Sequence, residues 1–389
     1  MKLLKQYTGQ NFTIELQLLI YLSQKDLKEG FRSDLTKVDW ELFLELVAKH
    51  RLTSHVLKHA TFLAEHFPIP VYEKLMEVRL QRSKRSLNFA IHAIRIHQKF
   101  QEHQIEHCFF KGPLLSLELY QDVGYRNFRD IDVLVNQEDA EKAKEIIEEL
   151  NFNCVYPKIK LSKKQQKANY KISHHYHFVH SIQNIDVELH WNMTNPKSFL
   201  GIQAKTIIDH STKLKVSNYQ LPYISKQENL VYQAAHGSIH QWYRLFWLKD
   251  FSVLISNCTE KELQSAYSLS KELKLEKSFV MAYKLSSLIY ETREPEFFDL
   301  NIKSGLIKIP LKSISTTDLS QKGIVGKLRF VLYRLELKRD FNYYFDLLFR
   351  LRTHLTDWEI IKLHDSLFFL YYFLRPFLLI YKFLFKKKS

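Results

Sequence analysis

Two aspartates stand two positions apart in an otherwise apolar segment, Asp130-Ile131-Asp132-Val133-Leu134-Val135. Successive side chains of a β-strand point to opposite faces, so Asp130 and Asp132 share one face of the predicted strand. Two carboxylates this close repel each other unless a cation offsets them, and Mg²⁺ prefers carboxylate oxygens together with substrate phosphates. The solvated face of an edge strand is the alternative interpretation of such a pair.

The neighbouring residues favour a metal site for phosphate-transfer chemistry. Lys111-Gly112 ends an apolar run, where Gly allows a close backbone approach and Lys can meet a phosphate. Arg126 lies just upstream of the aspartates and can make a forked contact with phosphate oxygens. The apolar residues of the strand indicate that its other face is buried.

A third acidic position is found in a second predicted strand, which follows a turn at Gln183-Asn184. Its sequence, Asn184 to Trp191, alternates so that Asp186, Glu188 and His190 share one face. If this strand pairs beside the first, Glu188 comes within reach of the same ion, and a third carboxylate helps to position the second ion of a two-metal site. Asp186 has the same facing and is the alternative third acid.

This order of motifs resembles the DNA polymerase β-type nucleotidyltransferase superfamily and, within it, an uncharacterised nucleotidyltransferase family. The resemblance continues downstream through Ala235-His236-Gly237, His240 and the segment 242–250, and it extends over roughly residues 85 to 380. A related pattern occurs in nucleotidyltransferases of the abortive-infection toxin type. The chain departs from the superfamily at Gly112-Pro113, where Gly-Ser or Gly-Gly is usual. Pro113 lacks the donor and the hydroxyl that often hold a nucleotide phosphate.

The resemblance implies roles for individual residues. Asp130, Asp132 and Glu188 would be the catalytic and metal-binding acids, with Mg²⁺ or Mn²⁺ as the ion and a nucleoside triphosphate as the substrate. The remaining site residues would contact the nucleotide or the acceptor: Lys111, Gly112, Arg126, His190, His236 and Arg244.

Two other sets of histidines are not assigned to metal. His236 and His240 are four apart on one helical face, but no Glu-x-x-His partner accompanies them, so helix contact or substrate binding is preferred to zinc. His174, His175, His177 and His180 crowd one segment without a cysteine, and a partly exposed strand and loop is the preferred interpretation.

Composition indicates a helix-rich enzyme of a reducing compartment. The chain has 389 residues, 46% of them hydrophobic, with nine Gly and nine Pro. Three scattered cysteines give neither a disulfide framework nor zinc spacing, which suits the cytoplasm, and the amino terminus has no apolar run long enough for a signal peptide. A net charge of +15 favours anionic partners: nucleotides, nucleic acid or an anionic membrane face.

The pattern predicts an α+β fold in which a small mixed sheet is embedded in a mostly helical chain. We divide it into an N-terminal helical region (1–103), a nucleotidyltransferase core (104–223) and a C-terminal helical region (224–389). Helical periodicity covers 14–22, 38–60, 71–103 and 138–150, and strands are predicted over 152–156 and within 213–223. The basic, Gln-rich segment 158–171 has no apolar period and is predicted to be an exposed loop.

The carboxyl-terminal segment 367–385 is strongly apolar and aromatic and is followed by Lys386-Lys387-Lys388. Arg375-Pro376 interrupts its centre, which argues against a transmembrane span. Two short helices at a membrane surface are one expectation, so that residues 367–388 give peripheral membrane contact. A helix docked on the core of the protein is the other.

The function predicted from these observations is metal-dependent transfer of a nucleoside monophosphate from an NTP by two-metal catalysis. The acceptor is a hydroxyl or phosphate on a small molecule, glycan precursor, peptide or RNA. A toxin-like nucleotidyltransferase acting on tRNA or protein is an alternative, and a non-catalytic nucleotide-binding protein of the same fold is another. The sequence does not decide between nucleotidyl and phosphoryl transfer.

Overall fold

A seven-stranded mixed sheet positions the acidic residues in the computed structural model, which describes residues 12–27, 30–31, 33–63, 66–297, 301–316 and 324–385. The strands are β1 (His107–Phe109), β2 (Asp130–Val135), β3 (Phe152–Tyr156), β4 (His175–His180), β5 (Asp186–His190), β6 (Thr212–Val216) and β7 (Tyr219–Tyr223). Their order across the sheet is β3-β4-β5-β2-β1-β7-β6. The pairs β2/β5 and β1/β7 are parallel, and the other neighbours are antiparallel. The predicted α+β fold is confirmed.

Strand β2 lies at the centre of this sheet, between β5 and β1. Its residues from Ile131 to Val135 are buried, because both neighbouring strands and packed helices cover it. A carboxylate here is therefore held among apolar side chains, which is unfavourable without a partner.

Among the described residues, four α-helices precede the sheet: α1 (Ile14–Leu22), α2 (Trp40–His50), α3 (Thr53–Ala60) and α4 (Ile69–Glu102). The periodic region 38–60 is divided by Arg51, whose left-handed backbone (φ 57°) ends α2. Helix α4 runs on to the turn before β1, as its periodicity predicted.

Three α-helices connect the first four strands: α5 (Gly112–Tyr120), α6 (Ala140–Glu149) and α7 (Lys163–Ile172). The prediction of a loop over 158–171 was wrong for most of that segment, because α7 begins there with a capping box between Ser162 and Gln165. The buried face of α7 is partly polar (Gln165, Asn169), which hides the apolar period from a sequence pattern.

In the described ranges after β5, the regular elements are helices apart from the β6–β7 hairpin. Two short helices come first, α8 (Lys197–Leu200) and α9 (Ala204–Asp209), and the rest follow β7. They are α10 (Lys226–Ile239), α11 (Leu245–Ser256), α12 (Glu260–Glu272), α13 (Glu276–Tyr290), α14 (Ser304–Ser315), α15 (Ile324–Leu337), α16 (Phe341–Phe349), α17 (Leu355–Ile360) and α18 (Leu370–Phe385). One hydrophobic core joins residues from Phe12 to Tyr343, and the three-part division of the chain stays a prediction.

The carboxyl-terminal segment forms the single helix α18 rather than two short ones, with Pro376 inside it. Arg375 Nη1 contacts both oxygens of the buried Asp357 carboxylate, at 2.6 and 2.7 Å, and Lys382 Nζ lies 2.7 Å from Asp357 Oδ1. Among the helices that the structure describes, none is both long and apolar enough to cross a bilayer. Residues 386–388, the predicted basic end, lie outside the described residues.

A second, smaller hydrophobic core holds this end of the chain. It consists of Ile172, Leu355, Trp358, Phe368 and Tyr371, so it joins α7 to α17 and α18. Ser162 Oγ also donates to the Asp365 carboxylate across the same junction.

Candidate active site

The parallel pairing of β2 with β5 brings the predicted acids together. Asp130 lies opposite Asp186, and Asp132 lies opposite Glu188. Because side chains alternate along each strand, all four carboxylates stand on one face of the sheet. The chain segments that supply them are far apart in the sequence, so the site depends on this register.

Asp132 is the centre of the site. Its Oδ1 atom lies 2.6 Å from Lys111 Nζ and 3.2 Å from His190 Nε2. The same His190 nitrogen is 3.1 Å from Glu188 Oε2, so the imidazole joins the carboxylates of neighbouring strands. Lys111 and His190, both predicted from the sequence, thus contact the acids directly.

These contacts shift the protonation of the groups. Burial alone would lower the pKa of the Lys111 ammonium, but the charges of Asp132, Tyr232, Glu188 and Asp130 together outweigh it and hold that pKa well above its ordinary value. Burial likewise opposes a charged His190, yet its hydrogen bonds to Asp132 and Glu188 raise its pKa. Burial would raise the pKa of Glu188, but His190 and His175 hold it well below its usual range. Glu188 is therefore a persistent anion.

Asp130 behaves differently from Glu188. Burial, together with the charge of Asp132, raises the pKa of the Asp130 carboxyl to about 7. A carboxyl with a raised pKa has too little positive charge nearby to favour its ionised form, and a bound cation would supply that charge.

The arrangement of donor atoms fits a divalent metal ion. Ligand atoms of Asp132, Glu188 and His190 all lie within 4.8 Å of one another. Asp132 Oδ2 is buried and, within the described part of the chain, has no hydrogen-bond partner. A buried carboxylate oxygen without a donor is costly unless a cation meets it. These residues can hold a metal ion.

The turn between β1 and α5 packs tightly against the site. Gly112 has a left-handed backbone (φ +57°), and a Cβ atom there would lie 2.6 Å from the Asp130 carbonyl oxygen. Lys111 precedes the helix and Pro113 occupies its first turn, where the missing N–H is tolerated. The turn thus brings the Lys111 side chain to Asp132.

Arg126 is close to the acids but has another partner. Its Nε donates to Asp250 Oδ2 at 2.6 Å, and Tyr120 Oη donates to Asp250 Oδ1 at 2.7 Å. Burial would lower the pKa of Arg126, but Asp250 outweighs it and raises that pKa. A contact between Arg126 and a triphosphate stays a prediction.

His236 and Arg244 lie in a cluster of ring side chains beside the acids. This aromatic wall also contains Tyr232, His240 and Tyr243. The His236 ring is 4.7 Å from that of His240, and its Nδ1 is 3.5 Å from Tyr232 Oη. The Arg244 guanidinium stacks over Tyr243 at 4.9 Å. This wall connects to the site through Phe110, whose ring meets both Tyr232 and His190 edge-on. Substrate contact by His236 and Arg244 stays a prediction.

Two histidines that the sequence analysis set aside also face the acids. His175 pairs with His190 across the β4–β5 hairpin, and its Nε2 lies 4.0 Å from Glu188 Oε1. Ligand atoms of His174, His175 and His190 form a second group within 4.8 Å. Counting back from a two-residue turn at Gln183-Asn184 would have paired His177 with His190, whereas the observed register pairs His175 with it, so the sequence did not indicate this contact.

Comparisons with known proteins identify a family for this chain. Residues 36–291 match a family described as uncharacterised nucleotidyltransferase. The chain is also similar to the crystal structure of an antigenic nucleotidyltransferase-like protein from Paracoccidioides brasiliensis, with 13% identity, a TM-score of 0.31, and coverage of 54% of this chain and 93% of that one. No curated protein matches the chain.

The family match defines the chain as a nucleotidyltransferase-type enzyme. The match spans most of the sequence, and the chain belongs to the uncharacterised nucleotidyltransferase family. Its general activity is therefore nucleotidyl transfer with a nucleoside triphosphate as substrate, and a divalent metal is the usual cofactor of such enzymes.

Proposed function

We propose that the protein transfers a nucleoside monophosphate from an NTP to an acceptor hydroxyl or phosphate by two-metal catalysis. The observation that carries this proposal is the register that places Asp132 opposite Glu188 with Asp130 on the same face. The unpartnered buried oxygen of Asp132 supports cation binding at this point. Mg²⁺ or Mn²⁺ suits a carboxylate-rich site of this kind.

The acids would hold the metal ions, which supply charge neutralisation at the phosphates and activation of the acceptor oxygen. His190 orients Asp132 and Glu188 by donating between them. The low pKa of Glu188 suits a metal ligand better than a proton acceptor, while Asp186 stays the alternative third acid. Lys111 offsets the charge of the triphosphate near Gly112.

In the proposed reaction the acceptor oxygen forms a bond to the α-phosphorus, and the bond from that phosphorus to the α–β bridging oxygen breaks. Pyrophosphate leaves, and the acceptor proton passes to a carboxylate or water of the site. Arg126, His236 and Arg244 would contact the nucleotide or the acceptor. The acceptor itself is a small molecule, glycan precursor, peptide or RNA, and a cytoplasmic location stays a prediction.

The test is label transfer from each α-³²P NTP into cell extract, with Mg²⁺ or Mn²⁺, using wild type, Asp130→Asn and Asp132→Asn. Asp209→Asn is the matched control, because Asp209 is an exposed carboxylate paired with Lys205 away from the site. We expect transfer by wild type and the control and loss in both site variants.

A parallel reaction with γ-³²P label distinguishes the alternatives. If only the γ-³²P label reaches an acceptor, the reaction is phosphoryl transfer and not nucleotidyl transfer. Labelled tRNA or protein, together with growth arrest that depends on Asp130, would identify the toxin-like alternative. No transfer with any nucleotide, in a protein that still binds one, would favour the non-catalytic alternative.

We also propose that α18 gives peripheral membrane contact. Phe373 and Phe377 are 69% and 70% exposed on one face of this helix, while Tyr371 and Leu378 are buried on the other. An exposed aromatic face of this kind can enter a lipid interface. Phe373→Ser with Phe377→Ser should abolish sedimentation with anionic vesicles. The control Phe341→Ser, at a residue that is 80% exposed elsewhere, should sediment like wild type. Equal sedimentation of all three proteins would contradict the proposal.

A further inference from the structure

A group of arginines from separate parts of the chain converges at the approach to β2, and two of them, Arg51 and Arg126, interact electrostatically with Asp130. Four of them line one cleft together with Thr53 and Gly124: Arg51 at the end of α2, Arg79 and Arg82 on α4, and Arg126 before β2. Arg129 lies on the same approach to β2 and interacts electrostatically with Arg51 and Arg82.

Contacts with neighbouring side chains fix the positions of three of these guanidinium groups. Arg51 and Arg126 both lie over the ring of Phe246, at 5.3 and 4.9 Å from its centre. Arg82 Nη1 donates to Thr53 Oγ1 at 2.9 Å. Stacking and this hydrogen bond fix the positions of side chains that would otherwise be mobile, which reduces the entropy lost on binding a ligand.

Most charges of the cluster lack a carboxylate partner among the described residues. In the part of the chain that the structure describes, Arg126 is the only one of the five with a carboxylate within 4 Å. Burial, together with the charges of Arg244, Arg129 and Arg126 and against that of Asp130, lowers the pKa of Arg51 to about 9. Partly buried cations that repel one another are unfavourable unless an anion joins them.

We propose that Arg51, Arg82 and Arg129 bind a phosphate group of the substrate on the Asp130 side of the acid cluster. This inference rests on the proposed nucleotidyl transfer and adds residues of the N-terminal helices to its substrate site. The planar guanidinium fork matches phosphate oxygens two at a time. The phosphate belongs either to the triphosphate of the donor or to a phosphorylated acceptor, since both present the same chemistry.

The test measures binding of inorganic tripolyphosphate by calorimetry, without divalent metal, to wild type, Arg51→Gln and Arg82→Gln. Arg95→Gln is the matched control, because Arg95 is exposed on the same helix as Arg82 and its replacement removes the same charge. We expect each cleft variant to bind roughly tenfold more weakly than the control. Arg51→Lys, which retains the charge without the fork, should fall between them.

Equal affinity of the cleft variants and the control would overturn the proposal, as would no binding by wild type. Urea unfolding of each variant checks that lost binding is not lost folding. Repeating the titration with an NTP identifies the source of the phosphate: a matching loss of NTP affinity assigns the cluster to the donor triphosphate. Unchanged NTP affinity beside weakened tripolyphosphate binding assigns it to the acceptor. Because binding is measured without turnover, absence of label transfer would contradict the proposed function and leave the phosphate site standing.

Discussion

The buried pair of Arg126 and Asp250 gives the sharpest stability prediction. Their side chains are only 6% and 1% exposed, and their atoms approach to 2.6 Å. Removing one partner of a buried ion pair costs about 3–5 kcal/mol, because the remaining charge stays buried without compensation. Asp250→Asn keeps the shape and one acceptor for Tyr120, so we expect a loss near the lower end, about 3 kcal/mol.

Urea unfolding followed by circular dichroism measures this loss as a change in midpoint at constant slope. The control is Asp209→Asn, which breaks an ion pair whose side chains are 55% and 47% exposed and should cost under about 1 kcal/mol. The double replacement Arg126→Met with Asp250→Leu should recover much of the stability, because neither charge then remains buried. If Asp250→Asn unfolds at the same urea concentration as Asp209→Asn, the buried Arg126–Asp250 pair does not stabilise the folded protein as predicted.

Three further predictions concern other buried positions. Burial lowers the pKa of Lys249 to about 8, so the unfolded chain binds more protons than the folded one between about pH 8 and 10.5, and stability should rise across that window. Lys249→Met should therefore raise the free energy of unfolding at pH 7 by up to about 3 kcal/mol, with the advantage shrinking toward pH 10; a constant difference would contradict this. In Gly112→Ala the new Cβ would meet the Asp130 carbonyl oxygen, so this variant should lose about 2 kcal/mol or more in urea unfolding and bind metal more weakly. Gly305→Ala has open space around its Cβ and should show neither effect. Gly237→Ala places a Cβ 2.4 Å from the Trp242 ring and should cost about 1–3 kcal/mol with a shift in tryptophan emission; unchanged stability and emission would show that the ring can move aside.

The acid cluster was accessible from sequence because it follows strand periodicity. Alternation in two short strands placed Asp130, Asp132 and Glu188 on common faces, and the sheet pairs those strands as expected. The helix over 163–172 was missed since its buried face is partly polar, although the spacing of Ser162 and Gln165 matches a capping box.

Features built from distant segments were not accessible in this way. Asp250 lies 124 positions from Arg126, and no local pattern indicates that the two meet. The arginine cleft likewise joins residues of α2, α4 and the approach to β2. Such contacts depend on how the helices before and after the sheet pack on it, which is decided by side-chain shape over the whole core.

The small core of Trp358, Phe368 and Tyr371 affects the order in which parts of this protein unfold. Because it is separate from the main core, α17 and α18 can lose their packing while the sheet stays intact. We expect partial opening of this kind to cost less free energy than global unfolding. Amide protons of α18 should then exchange before those of β2. Fluorescence from Trp358 would report the release of the carboxyl-terminal helix rather than the loss of the active site.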